Sequence, residues 1–322
     1  MSTLLSFVIP CYRSELTIEM VVNEIIETVS QRDGYDYEII CVNDFSPDGV
    51  YSVLERLAAE NKRIKVVDFA RNMGKHAAVL AGYARASGDY IVNLDDDFQC
   101  PVYELWRLLE PLEKDECDFA TANYNRKKQS GFKNFGSTIN LMMASVMLEK
   151  PMSLRFENFS IMRRFVVEEI VKYDKPYPYL EGLVYRVTRR ISVVMMEERE
   201  RGDNKKTGFT FGKSLSLWLN GFTAFSVKPL RISSFLGAFI SVFGFIVGAV
   251  MVIRKLIYPE VQAGYTSLIA AVLFIGGLVL MVLGLIGEYV GRIYICLNNT
   301  PQYVVKRTIN LEEKSNSSLI GN

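Results

Sequence analysis

The run Asn93-Leu94-Asp95-Asp96-Asp97-Phe98-Gln99 places three carboxylates side by side, directly after the strand-like segment Tyr90 to Leu94. Adjacent carboxylates repel one another, so the cluster is unfavourable unless a cation offsets its charge. Hard oxygen ligands in small number suit Mg2+ or Mn2+, which complete their shells with water and substrate phosphates. An acidic surface loop is the plain alternative. Its place at the carboxyl end of a strand favours the metal site, because open α/β sheets bind ligands beyond those ends.

Three more strand ends carry polar residues of the same kind. Pro10-Cys11-Tyr12-Arg13-Ser14-Glu15 follows the first strand-like run, Asn43-Asp44-Phe45-Ser46-Pro47-Asp48-Gly49 the second, and Arg71-Asn72-Met73-Gly74-Lys75 the third. Asp44 suits a ribose or a base, Tyr12 suits support of a base, and Lys75 suits a phosphate. Each taken singly reads as readily as a turn, a cap or a solvated charge. Their shared sheet edge is what makes a nucleotide-sugar diphosphate the expected ligand.

Inventory narrows the chemistry. His76 is the one histidine, which excludes a histidine-built zinc centre and a Ser-His-Asp relay. Cys11, Cys41, Cys100, Cys117 and Cys296 are odd in number, scattered and without C-x-x-C spacing, as fits a reducing compartment. With 37 Lys+Arg against 36 Asp+Glu, the net charge of +1 gives no footprint for a nucleic-acid partner.

The elements that must position these residues alternate in type. Leu4 to Pro10, Tyr37 to Val42, Ile64 to Phe69, Tyr90 to Leu94 and Phe119 to Asn123 are short β-branched or aromatic runs. Ile18 to Val29, Val50 to Asn61, Lys75 to Ser87 and Val102 to Lys114 carry helical spacing between them. The alternation predicts an α/β, Rossmann-like, mainly parallel sheet. Further on, Phe132 to Leu148 has the pattern of an amphipathic helix, for the membrane surface or for the core, and Ile191 to Met196 that of another strand. Arg126 to Lys133 and Arg199 to Lys206 are basic stretches suited to an acceptor phosphate near the membrane.

Two uncharged apolar runs, Ile232 to Ile253 and Thr266 to Gly287, would each span about 33 Å as a helix, enough to cross a bilayer. Lys213, Lys228, Arg231, Arg292, Lys306 and Arg307 flank one side and Arg254 and Lys255 the other, so both ends of the chain are expected in the cytoplasm. The opening Met1 to Leu5 lacks a charged n-region and its apolar run stops at Pro10, so no signal peptide is expected. The predicted organisation is a catalytic domain over 1–210, an interfacial helix over 211–231, spans at 232–253 and 266–287, and a cytoplasmic tail over 288–322.

Taken together, Ser6-Phe7-Val8-Ile9-Pro10-Cys11-Tyr12, Val42-Asn43-Asp44, Arg71-Asn72-x-Gly74-Lys75, Asp95-x-Asp97-x-Gln99 and Gly287-Glu288-Tyr289-Val290-Gly291-Arg292-Ile293-Tyr294 resemble the polyprenyl-phosphate glycosyltransferases, a family that includes bactoprenol glucosyltransferases and dolichyl-phosphate mannose synthases. The resemblance covers nearly the whole chain. It implies a GT-A fold and an inverting transfer of one sugar, from a nucleotide-sugar such as a UDP-sugar to undecaprenyl phosphate. The bacterial inner membrane is then the location, and a lipid-linked sugar for cell-envelope glycan modification the product. A homo-oligomer is compatible with it.

Carried over by position, Pro10, Tyr12, Val42 and Asp44 look like the nucleoside pocket, and Glu15 takes the acidic position after the tyrosine. Asp95, Asp97 and Gln99 look like the metal and diphosphate site, with Asp96 and Lys75 beside them on the donor, and Arg201 like a phosphate-contacting arginine. Four positions depart from the family pattern: the acidic residue after the tyrosine appears as Ser14-Glu15, the usual Asp-Asp-Gly reads Asn43-Asp44-Phe45, the common Asp-Phe-Arg reads Asn158-Phe159-Ser160, and the Arg-x-x-Gly-x-Ser-x-Tyr loop is altered over Arg201 to Phe209. A processive polysaccharide synthase is the nearest rival, but its Q-x-x-R-W motif is missing around Trp106 and Trp218. A non-catalytic two-span membrane scaffold is the rival of another class, and the acidic cluster argues against it.

Overall fold

The computed structural model describes residues 2–124, 157–176, 178–197, 199, 228–257, 264–298 and 301–311. They fall into two compact units, a mixed α/β unit and a helical unit. The predicted helix over Phe132 to Leu148, nearly all of the predicted interfacial helix, and Arg201 lie outside the described residues.

The α/β unit is built on one eight-stranded sheet. Its strands are β1 (Thr3–Cys11), β2 (Tyr35–Asn43), β3 (Ile64–Phe69), β4 (Tyr90–Asn93), β5 (Phe119–Tyr124), β6 (Ser160–Arg163), β7 (Ile191–Met196) and β8 (Val305–Ile309), in the order β7-β5-β6-β4-β1-β2-β3-β8. β1 pairs in parallel with β2 and β4, β2 with β3, and β5 with β7, while β6 and β8 run antiparallel to their neighbours. The mainly parallel Rossmann-like sheet is as expected. Strand order reverses between β1 and β4, which places a crevice at their carboxyl ends.

β1 is buried without interruption from Leu5 to Cys11, the pattern of a central parallel strand covered on both faces. Leu5, Phe7, Ile9 and Cys11 face one core, shared with α1 (Ile18–Ser30), α2 (Val50–Glu60) and α4 (Leu105–Glu113). Val8 joins Ile40, Val42, Val67 and Phe69 in a second core, covered by α3 (Lys75–Tyr83), α5 (Arg164–Ile170) and α6 (Leu180–Val187). Helix α3 lies close on β1 because Gly82 has no side chain: a Cβ there would sit 2.3 Å from Val8 Cγ1.

Two strands depart from the sequence reading. β6 has four residues, too few for a periodic signal, and is held between β4 and β5. β8 comes from 288–322, the stretch expected as a tail, and covers the edge of β3. An open edge leaves a row of backbone donors and acceptors unpaired, and β8 satisfies them.

The helical unit contains α7 (Lys228–Ile257) and α8 (Tyr265–Leu297), which include the two apolar runs. Phe274–Leu297 is long and apolar enough to cross a membrane. Phe235, Phe239 and Phe245 of α7 and Leu280 and Met281 of α8 are exposed, as lipid-facing side chains would be.

Candidate active site

The loops that leave β1, β2, β3 and β4 meet around a cleft of about 380 Å3. Each of them turns through one residue of positive φ: Arg13 (φ 60), Phe45 (φ 52), Gly74 (φ 86) and Phe98 (φ 61). For the three that are not glycine this costs roughly 1–2 kcal/mol each, and it persists only where the surroundings impose it.

Cross-loop hydrogen bonds impose it. Arg13 N–H donates to Ser46 Oγ at 2.7 Å, Glu15 N–H to Asp48 Oδ2 at 3.1 Å, and Gly49 N–H to Glu15 Oε2 at 3.0 Å. These contacts join the loop after β1 to the loop after β2. On the other side Tyr12 N–H donates to Asp96 Oδ2 at 2.8 Å and the Thr17 hydroxyl to the Asp96 carbonyl at 2.6 Å. The loop after β1 is thereby tied to the acidic run.

Asp44 performs the same service for the third loop. Its two carboxylate oxygens accept the N–H groups of Met73 at 2.6 Å and Gly74 at 2.9 Å, and Asn72 Nδ2 donates to its carbonyl at 2.9 Å. Burial raises the Asp44 pKa despite these two donors. The loop so held presents Lys75, whose ammonium pairs with Asp95 Oδ1. The other Asp95 oxygen accepts Asn158 Nδ2 at 2.6 Å, and Asn158 is fixed in turn by Asn93 Nδ2 on its carbonyl at 2.8 Å.

Of the residues predicted for the site, Pro10, Tyr12, Asp44, Lys75, Asp95, Asp96 and Asp97 line the cleft, together with Cys11, Asn72 and Gly74. Others take different places. Val42, expected in the nucleoside pocket, is fully buried in the core under α3, so its side chain does not reach the cleft. Glu15 serves through its hold on Gly49, and the Gln99 N–H donates to Asp97 Oδ1 at 3.2 Å. Arg199, expected among the phosphate-binding bases, instead makes a two-pronged ion pair with Glu24 at 2.6 and 2.7 Å and lies 4.4 Å from the Phe98 ring centroid. Asn158, Asn72 and Gly74 carried no roles in the sequence reading. Asn158 stands where the family pattern has an acid, which was the available signal.

All three adjacent aspartates line the cleft, with different partners: Asp96 takes a backbone N–H, that of Tyr12, while Asp95 takes the side chains of Lys75 and Asn158. Among the described residues no three His, Cys, Asp or Glu side chains form a ready metal cage. Two carboxylates in an open cleft nevertheless fit Mg2+ or Mn2+, which take few protein ligands and leave positions for phosphate and water. The hard-oxygen donor set agrees with that choice.

Burial pushes the Asp96 carboxyl up to about 6, and the neighbouring Asp95 charge adds to the rise. With a folded pKa above the unfolded one, the stability this group contributes is complete below about pH 4 and is lost as the pH rises through about 6. Asp96→Asn keeps an oxygen for Tyr12 N–H and removes the titration. Melting in chelator across that window is expected to show the variant gaining on the wild type as the pH rises. Parallel pH profiles would refute the assignment.

Residues 6–171 match the family model described as glycosyl transferase family 2, and residues 228–293 match one described as GtrB C-terminal hairpin. YkcC of Bacillus subtilis (strain 168), named an uncharacterized glycosyltransferase, is 31% identical over 96% of this chain and 95% of its own length. The SfII prophage-derived bactoprenol glucosyl transferase of Shigella flexneri is 30% identical over 94% of this chain and 98% of its own. A crystal structure of a mycobacterial protein aligns with a TM-score of 0.50 at 17% identity, covering 69% of this chain and 73% of that one, a likeness of fold alone.

Proposed function

Since the chain belongs to glycosyl transferase family 2 and is a glycosyltransferase, we propose that it moves one sugar, with inversion, from a nucleotide-sugar onto a polyprenyl phosphate at the cytoplasmic face of a membrane. The observation that carries this reading is the meeting of Asp95, Asp97, Lys75 and the loop held by Asp44 in one cleft at the strand-order reversal. Relatives named bactoprenol glucosyl transferase support the lipid acceptor.

Asp95 and Asp97 would hold Mg2+ or Mn2+, which when bound offsets the charge of the departing nucleotide diphosphate. Lys75 brings a positive charge to the same place, and Asn158 keeps the Asp95 carboxylate aimed. Gly74 lets the backbone approach a phosphate closely, with Asp44 holding its N–H. A phosphate monoester, with a second pKa of about 6, already offers an anionic oxygen, so attack needs aim and no general base. His76 fits this picture, since it stands edge-on to Tyr179 at 6.1 Å between ring centroids. Incubation of purified protein with undecaprenyl phosphate and a panel of UDP- and GDP-sugars is expected to yield a sugar-phosphate lipid in a metal-dependent way. A soluble sugar alcohol serving as the better acceptor would refute the proposal.

β8 supports two membrane crossings. Its hydrogen bonding to β3 supports a topology in which β3 and β8 share one compartment and the number of crossings between them is even. If α8 crosses, α7 crosses too. A cysteine placed at Gly264 is expected to react with an impermeant thiol reagent from outside the cell, and one at Lys306 is not; the reverse pattern would overturn this topology.

A further inference from the structure

β8 follows the helical pair in the chain, yet one of its residues reaches across to β3 and the first turn of α2. Arg307 Nε donates to Asp68 Oδ2 at 2.8 Å, and its guanidinium carbon lies 3.7 Å from the centroid of the Tyr51 ring. Asp68 is buried, and its other oxygen accepts Asn43 Nδ2 at 2.7 Å. The oxygen of that same amide accepts Ser46 N–H at 3.1 Å. Asn43 precedes the 44–49 loop and Tyr51 stands just past it, so one arginine supports the loop at both ends. Ser46 Oγ then receives Arg13 N–H, which carries the linkage to the loop after β1.

We propose that Arg307 is a positioning residue for donor binding, acting through Asp68 and Asn43 on one side and Tyr51 on the other to fix the 44–49 loop. The identity of the ligand rests on the reading above; the mechanical part does not. A buried carboxylate that loses its cationic partner is strongly unfavourable. It would draw in water, and a carboxylate no longer held at Oδ2 would orient the Asn43 amide less firmly through Oδ1. Phe45, held at positive φ inside this loop, then has less to keep it there. Asp44, next to Asn43, carries the disturbance to the loop that presents Gly74 and Lys75.

Docking of β8 does not depend on Arg307 alone. Asn310 Nδ2 donates to the carbonyls of Ala58 and Ile64, Gln302 Nε2 to those of Tyr173 and Lys175, and Tyr303 stacks on Phe69 with centroids 5.3 Å apart. Truncating the guanidinium therefore tests the linkage while the strand stays in place.

The test uses the full chain in nanodiscs, with Arg307→Met and Arg307→Lys. With UDP-glucose as probe donor, Arg307→Met is expected to raise donor KM about tenfold, as loss of one charge-assisted contact would. The kcat at saturating donor stays near that of the wild type, and Arg307→Lys recovers part of the KM. Amide exchange over 44–49 accelerates while β8 stays protected. Unchanged exchange over 44–49 with β8 protected would overturn the proposal, as would a fall in kcat at constant KM. Should Arg307→Met fail to fold, Tyr51→Leu decides in its place, with a smaller shift in the same direction expected and none refuting it. If the wild type binds no nucleotide-sugar at all, the functional reading fails, and the exchange comparison still judges the linkage.

Discussion

Asp97→Asn is expected to lower sugar transfer by about 100-fold or more while leaving the protein folded. The asparagine oxygen still accepts the Gln99 N–H, so the turn after β4 keeps its hydrogen bond. What disappears is one of the two carboxylates, Asp95 and Asp97, proposed to hold the divalent ion. Turnover at saturating Mg2+ or Mn2+, read beside a melting curve and a Mn2+ titration by electron paramagnetic resonance, checks this. Near-wild-type turnover would sink the metal assignment. A variant that no longer melts cooperatively would show instead that Asp97 holds the loop.

Asp44→Asn is expected to raise donor KM by more than about tenfold and also to lower stability, because the asparagine amide must turn its NH2 toward one of two part-buried backbone donors. Leaving one such donor without its acceptor costs on the order of 1 kcal/mol. The released loop takes Gly74 and Lys75 out of register with Asp95, so donor binding suffers beyond the stability change. Asp44 thus acts by building the cleft as well as by lining it. Donor KM and denaturant midpoint measured on the same preparation test both parts, and a fall in midpoint with unchanged KM would remove the 71–74 loop from the donor site.

The central strands were legible because a parallel strand buried on both faces is a short, mainly apolar run rich in β-branched and aromatic residues, here broken only by Ser6, Glu38, Lys65 and Asp68. The segments at Leu4 to Pro10, Tyr37 to Val42 and Ile64 to Phe69 show this, and the observed strands extend the first two by one or two residues at each end. The helix predicted over Lys75 to Ser87 ends at Tyr83, where Ala84 and Arg85 close the last turn onto Leu80 and Gly82. Periodicity shows that a helix exists more securely than where it stops.

What the sequence determined by itself was the glycosyltransferase class and a pattern of candidate residues, carboxylates, a lysine and glycine-bearing turns at successive strand ends, since residue type and position after a strand are local properties. The tertiary structure alone decided which partner each of the adjacent aspartates takes. Asp96 turns to the Tyr12 N–H while Asp95 meets Lys75 and Asn158, a choice made by loop geometry, with no difference in residue type to announce it. The same holds for Arg199 with Glu24 and Arg307 with Asp68, pairs far apart in the chain whose partners become visible only once the sheet is assembled. β8 is the clearest instance. Val305, Thr308 and Ile309 are β-branched and favour a strand, but five residues are too few to announce one, and pairing with the edge of β3, whose backbone groups it satisfies, decides it.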